Sequence, residues 1–163
     1  MTAQTIYDAA VFNDRPAVDA FLAHDAGCIN ERDPWGFTPL HGVAGEDHLD
    51  MLQYLISRGA DVNAVNDEGV SPLHLAAYPE IAQALVRAGA AINAPDAAGN
   101  TPLHIAVEDE EGIDVAEMLI DLGADVNALN ADGATPLDIA EARDNEDTIE
   151  MLQENGARSG DAA

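Results

Sequence analysis

The residues of this 163-residue chain that could do chemistry are five histidines, one cysteine, three serines and thirty-one carboxylates. His41, His74 and His104 each follow a Pro-Leu pair about 30 residues apart, a recurrence that first suggests a metal site. Zinc needs its ligands within about 2.1 Å of one ion, whereas helices of successive packed units sit about 8–10 Å apart. Equivalent histidines of neighbouring units therefore do not share a metal. His24 and His48 are isolated and read as surface residues. The acidic run Glu108-Asp109-Glu110-Glu111 lacks the glycine and alternating ligands of a calcium loop and reads as a solvated face. With so many carboxylates some must be neighbours, and an acid–base pair needs a burying cleft besides closeness. Ser57, Ser71 and Ser159 sit in no Gly-x-Ser-x-Gly elbow. Without any Lys a phosphate-binding Walker loop is excluded. Cys28 has no activating cation nearby in sequence and reads as a structural thiol. No enzyme activity, metal or cofactor is expected from this inventory.

Composition narrows the partners. Acidic residues number 31 against six basic ones, all Arg, for a formal net charge of −25 and a pI near 4.1. Such a field repels phosphate backbones, which nucleic-acid binders attract with clustered Lys and Arg. Nucleic acid and anionic membrane are thus excluded as expected partners, and a basic protein is favoured. The same charge can instead serve solubility, as in a salt-rich or acid-rich cytoplasm. The lone Cys28 rules out an intramolecular disulfide, the N-terminal residues carry no signal-peptide pattern, and no apolar run approaches membrane-spanning length. A cytoplasmic protein is the expectation.

The elements that position these residues emerge from self-similarity. Thr38-Pro-Leu-His41, Ser71-Pro-Leu-His74, Thr101-Pro-Leu-His104 and Thr135-Pro-Leu-Asp138 follow one another at 33, 30 and 34 residues. Locked in phase with them run Gly59-Ala-Asp-Val-Asn63, Gly89-Ala-Ala-Ile-Asn93 and Gly123-Ala-Asp-Val-Asn127. Thr or Ser caps a helix N-terminus, Pro fits its first turn, and Gly suits a left-handed C-cap. Two short apolar helices lie between the phrases, for example Leu40 to Ala44 and Leu49 to Ser57, and neither buries its apolar face alone. Small apolar residues and 4% aromatics predict closely packed helices. In period and phrase the chain resembles the ankyrin-repeat family, which implies an all-α repeat solenoid of helix-turn-helix units joined by hairpin loops. The resemblance also implies that the recurrent His hydrogen-bonds backbone between repeats.

A single domain over residues 1–157 is expected, with units at about 1–32, 33–65, 66–95, 96–129 and 130–157 and a frayed tail at 158–163. The first and last units are caps. Unit one lacks the Thr-Pro-Leu-His phrase but keeps helical stretches near Thr5 to Phe12 and Pro16 to His24. Unit five replaces the His by Asp138 and places Glu146 and Asp147 at the start of its second helix. His74 to Gly89 spans 15 residues where His41 to Gly59 spans 18 and His104 to Gly123 spans 19. Unit three must therefore turn abruptly at Tyr78-Pro79, which either notches the stack or is absorbed in a surface loop.

What the resemblance implies for function is protein binding by the hairpin tips and the open side of each first helix, together a concave surface. Those positions hold Trp35, Phe37, Glu46, Asp67, Glu68, Val70, Tyr78, Asn100, Glu108, Asp109, Asp132 and Arg143. The expectation is a non-catalytic module, monomeric when free, whose acidic face binds and inhibits or sequesters a basic protein, as a toxin immunity protein does. The alternative is a structural scaffold or assembly adaptor whose acidity serves solubility.

Overall fold

The computed structural model describes residues 5–109 and 111–160, and among these the regular structure is entirely helical. Unit one contributes α1 (Ile6–Val11), α2 (Arg15–His24) and a 3-10 turn at Ala26–Asn30. Unit two contributes α3 (Pro39–Ala44) and α4 (Leu49–Ser57). In unit three a single 3-10 turn, Pro72–Leu75, stands where the others have a first helix, and α5 (Pro79–Arg87) follows. Units four and five supply α6 (Pro102–Glu108), α7 (Ile113–Asp121), α8 (Pro136–Ala142) and α9 (Glu146–Glu154). First helices pack on first helices, in the order α1, α3, the unit-three turn, α6, α8, while α4, α5, α7 and α9 form the second layer. None of the described helices is long and apolar enough to cross a membrane.

Each first helix starts as its phrase predicts. Thr38, Ser71, Thr101 and Thr135 hold extended backbone at the N-cap, and Pro opens the first turn. Unit one uses the same device in a different spelling, because Thr5 and Asp8 exchange N-cap bonds of 3.1 and 3.2 Å. The glycines that close the second helices adopt φ between 82° and 98° at Gly59, Gly89, Gly123 and Gly156. There a side chain would strain the backbone.

The core runs through the stack between the layers. The Leu of each phrase, Leu40, Leu73, Leu103 and Leu137, is buried, opposite Leu52, Leu55, Ile81, Leu85, Val115, Leu119 and Leu152 of the second layer. Small residues set how closely the layers approach. A Cβ on Gly42 would lie 2.6 Å from Val11 Cγ2 and 2.8 Å from the Tyr7 ring, so α1 reaches α3 only over a glycine.

Where the sequence loses residues in unit three, the chain leaves the 3-10 turn in extended form at Ala76, and Ala77 N–H donates to the Ala44 carbonyl at 3.2 Å. Tyr78 is the extended N-cap of α5 and Pro79 its first residue. Of the two readings of this shortening, the notch is what forms; its lining is described below.

The expected tail meets a more ordered fate over the described residues. Arg158 N–H donates to Asn127 Oδ1 and Gly160 N–H to Asp138 Oδ2, both at 2.8 Å, while the Ser159 hydroxyl reaches Glu141 Oε2 at 3.4 Å. Residues 161–163 lie outside the described residues.

Candidate protein-binding surface

Four hairpins project from the helical stack, and a single Asp or Asn builds each of them. Asp33 Oδ1 accepts the N–H groups of Trp35 and Phe37, both at 2.9 Å. Asn66, Asp96 and Asn130 repeat this with Glu68 and Val70, Ala98 and Asn100, and Asp132 and Ala134. A short side chain folded onto its own following amides closes a turn without help from the rest of the fold. Backbone bonds then align the tips: Asp67 N–H donates to Trp35 O, Ala97 N–H to Glu68 O and Ala131 N–H to Ala98 O. These four acidic and amide residues escaped the sequence reading. Their signal was present, since each stands five residues before the capping Thr or Ser and three before a glycine.

The histidines tie hairpins to helices. Thr38, Ser71 and Thr101 each donate a backbone N–H to the Nδ1 of their own unit's histidine at 3.1 Å. Nδ1 is thereby an acceptor, and the ring proton sits on Nε2. Nε2 of His41, His74 and His104 donates to the carbonyls of Val70, Asn100 and Ala134 in the next unit, at 3.0, 3.0 and 3.1 Å. Both ring nitrogens are thus used in stacking. Burial pushes all three imidazoles below their ordinary value of 6.5, against the opposing pull of the carbonyl partners. In unit five the acceptor-only Asp138 stands where the other units have the histidine. That carboxylate takes bonds from Thr135 N–H, the Thr135 hydroxyl and Gly160 N–H, each at 2.8 Å. Burial alone would raise its pKa, but these donors outweigh burial and hold it below the ordinary range.

A second ladder joins the units on the far side of the helices. Asn30, Asn63, Asn93 and Asn127 accept the N–H groups of Asp61, Ala91, Asp125 and Arg158 at 2.8–2.9 Å.

The predicted binding residues divide on this framework. Trp35 is 67% exposed. Phe37 is half-buried, with its ring edge-on to His41 at 5.6 Å, so the two aromatics of one tip have different surroundings. Val70 and Asn100 are half-buried, lend their carbonyls to His41 and His74, and Asn100 Oδ1 also accepts from Asn130 Nδ2 at 2.9 Å. Glu46, Asp67, Glu68, Tyr78, Glu108, Asp109 and Asp132 are exposed. Arg143 is exposed as well and pairs with Glu108 across units four and five. Glu110 lies outside the described residues. Phe12 and Leu129, at 65% and 62% exposure, are large apolar surface residues that the sequence reading did not single out.

Cations do little to offset this surface. Arg15 stacks on the Tyr54 ring at 3.8 Å, Arg58 pairs with Asp19, and Arg32 donates to the Gly36 and Val65 carbonyls. With Arg143 on Glu108, four of the six arginines are engaged within the chain. Cys28 is half-buried, and burial, with Asp25 and Glu31, pushes its thiol above the ordinary range. A raised pKa leaves little thiolate to act as a nucleophile.

The profile described as "Ankyrin repeats (3 copies)" matches residues 6–96 and 78–161, nearly the whole described chain. The chain belongs to the ankyrin-repeat family. Among curated relatives, alpha-latrocrustotoxin-Lt1a of Latrodectus tredecimguttatus is 39% identical over 71 residues, 44% of this chain and 5% of that protein. Protein phosphatase 1 regulatory subunit 27 of Mus musculus is 36% identical over 70 residues, covering 43% and 45% of the two chains. Ankyrin repeat domain-containing protein 49 of Homo sapiens is 46% identical over 57 residues, 35% of this chain and 24% of the relative. The matched segments span less than half the length of each relative. Ankyrin repeats mediate protein–protein interaction, and family members are typically non-catalytic interaction modules.

Proposed function

We propose that this ankyrin-repeat chain is a non-catalytic inhibitor or sequestering module that captures a basic protein on its acidic, concave hairpin-and-first-helix surface. The observation that carries the reading is the row of exposed carboxylates at Glu46, Asp67, Glu68, Asp109 and Asp132, on a face whose one predicted cation, Arg143, pairs with Glu108. A surface of one sign speeds encounter with a partner of the other and rejects like-charged competitors. The relative named as a regulatory subunit of protein phosphatase 1 supports action upon another protein. A toxin immunity protein, which neutralises a cationic toxin by covering it, is the specific form we favour.

Affinity capture from source-cell lysate at low salt, read by mass spectrometry, is expected to recover one basic protein in stoichiometric amount. Trp35 then tests the surface. Its ring is exposed, and its backbone bonds are made by atoms that any residue supplies. Exposed Trp side chains at an interface centre carry disproportionate binding energy. Trp35→Ala is expected to weaken capture at least tenfold, about 1.4 kcal/mol, with an unchanged melting temperature. Loss of stability with intact affinity would assign Trp35 to the fold instead.

A further inference from the structure

The shortened third unit leaves a space that its neighbours do not fill. The first helices of units two, four and five run six or seven residues, whereas unit three makes only the four-residue turn Pro72–Leu75 before the chain leaves at Ala76. The missing helical turn is replaced by a cleft of about 480 Å³. Leu75, Ala76 and Tyr78 form one wall, and Ile105, Ala106 and Val115 face them from unit four. The far wall is fixed by close packing, because a Cβ on Gly112 would lie 2.0 Å from the Ala106 carbonyl oxygen. Around the mouth stand Asp109, Glu111 and Asp114, all exposed, and the described lining residues include no cation.

We propose that this notch receives a basic segment of a partner protein, with one apolar side chain seated between units three and four and flanking Arg or Lys residues against the rim. The inference rests on the basic-partner reading and adds to it a place and a side-chain chemistry. The apolar walls reward burial of an aliphatic side chain, and carboxylates beside a low-dielectric wall attract a cation more strongly than carboxylates in open water. An acidic partner would meet repulsion at the mouth. A wholly apolar one would leave the rim charges without a counterpart.

The test uses the full chain and two fluorescent nonapeptides, both with arginines flanking the centre, one with a central leucine and the other with a central glycine. Anisotropy at low salt is expected to show the leucine peptide binding at least tenfold tighter. Its amide shift changes should centre on Ala76, Ile105 and Val115. Ala77→Trp, which fills the notch from an exposed position, is expected to erase that advantage with the circular dichroism spectrum unchanged. As a second variant, Asp114→Arg should cost the leucine peptide at least tenfold. Asp121→Arg, which makes the same change in net charge from the other end of α7, should cost it less than threefold. Equal binding of both peptides, or equal losses from Asp114→Arg and Asp121→Arg, would overturn the notch and leave the acidic-surface reading standing. Binding of neither peptide at low salt would overturn both.

Discussion

Replacing His104 by Ala is expected to destabilise the chain by about 3–4 kcal/mol, more than any single surface substitution. The side chain is fully buried and bridges two units, accepting from Thr101 N–H and donating to the Ala134 carbonyl. Truncation leaves the Thr101 amide and hydroxyl buried without their partner and takes from the Ala134 carbonyl one of its two donors, the other being Asn130 N–H. Each such orphan costs roughly 1–3 kcal/mol, and the vacated ring volume adds a cavity cost. Water entering the cavity recovers part of this, which keeps the expected value below the simple total. The loss falls at the junction of units four and five, so the C-terminal unit should fray first, within a total stability of about 5–15 kcal/mol for a domain of this kind. Urea unfolding followed by circular dichroism measures the change, with His24→Ala, at an exposed position, as a control expected within about 0.5 kcal/mol of native. A loss under 1 kcal/mol for His104→Ala would mean that the inter-unit bond contributes little.

The same histidines make stability depend on pH well above the carboxylate range. Their folded values are lowered from 6.5 by burial, so protons bind the unfolded chain more readily than the folded one. Stability is then fully present above pH 6.5 and falls as pH drops from there toward the folded values, where both states carry the proton. Protonation of Nδ1 would also replace the acceptor that Thr38, Ser71 and Thr101 amides require. One such group gives a slope of at most about 1.4 kcal/mol per pH unit, and three together reach about 4. Unfolding free energies measured from about pH 7.5 to about pH 5.5 should fall, by at most about 4 kcal/mol for the three together, before relief of carboxylate repulsion at lower pH opposes the trend. A flat profile over that window would contradict burial of neutral imidazoles.

Much of this fold is legible in the sequence because short-range chemistry writes it. A Thr or Ser cap, a Pro at the first helical position and a Gly at the end depend on neighbours within a few residues, and they appear in the structure where the phrases stand. The recurrent His owes its role to the same cap, whose amide fixes its tautomer. Features that arise between units were harder to read. Nothing local distinguishes Val70 and Asn100 from freely exposed tip residues, since their carbonyls, which accept Asn66 and Asp96 N–H within their own hairpins, take a second bond only when His41 and His74 are stacked beneath them. Trp35 and Phe37 look alike in sequence and differ only because the Phe37 ring lies against His41. The shortening of unit three is a matter of counting, yet which side chains line the gap depends on how units three and four close around it. The Asp and Asn residues that build the hairpins were readable by offset alone and needed only to be counted from the cap.

The most direct test of the central claim, that the acidic surface serves recognition, is the association rate of the captured partner measured by stopped flow as ionic strength rises from about 20 to about 500 mM. Exposed charges are screened beyond about 8 Å at physiological ionic strength, and steering weakens accordingly. The account predicts an association rate that falls at least tenfold across this range while the dissociation rate changes less than threefold. An association rate that stays flat would contradict it, and would assign the charge of −25 to solubility and the chain to the scaffold class.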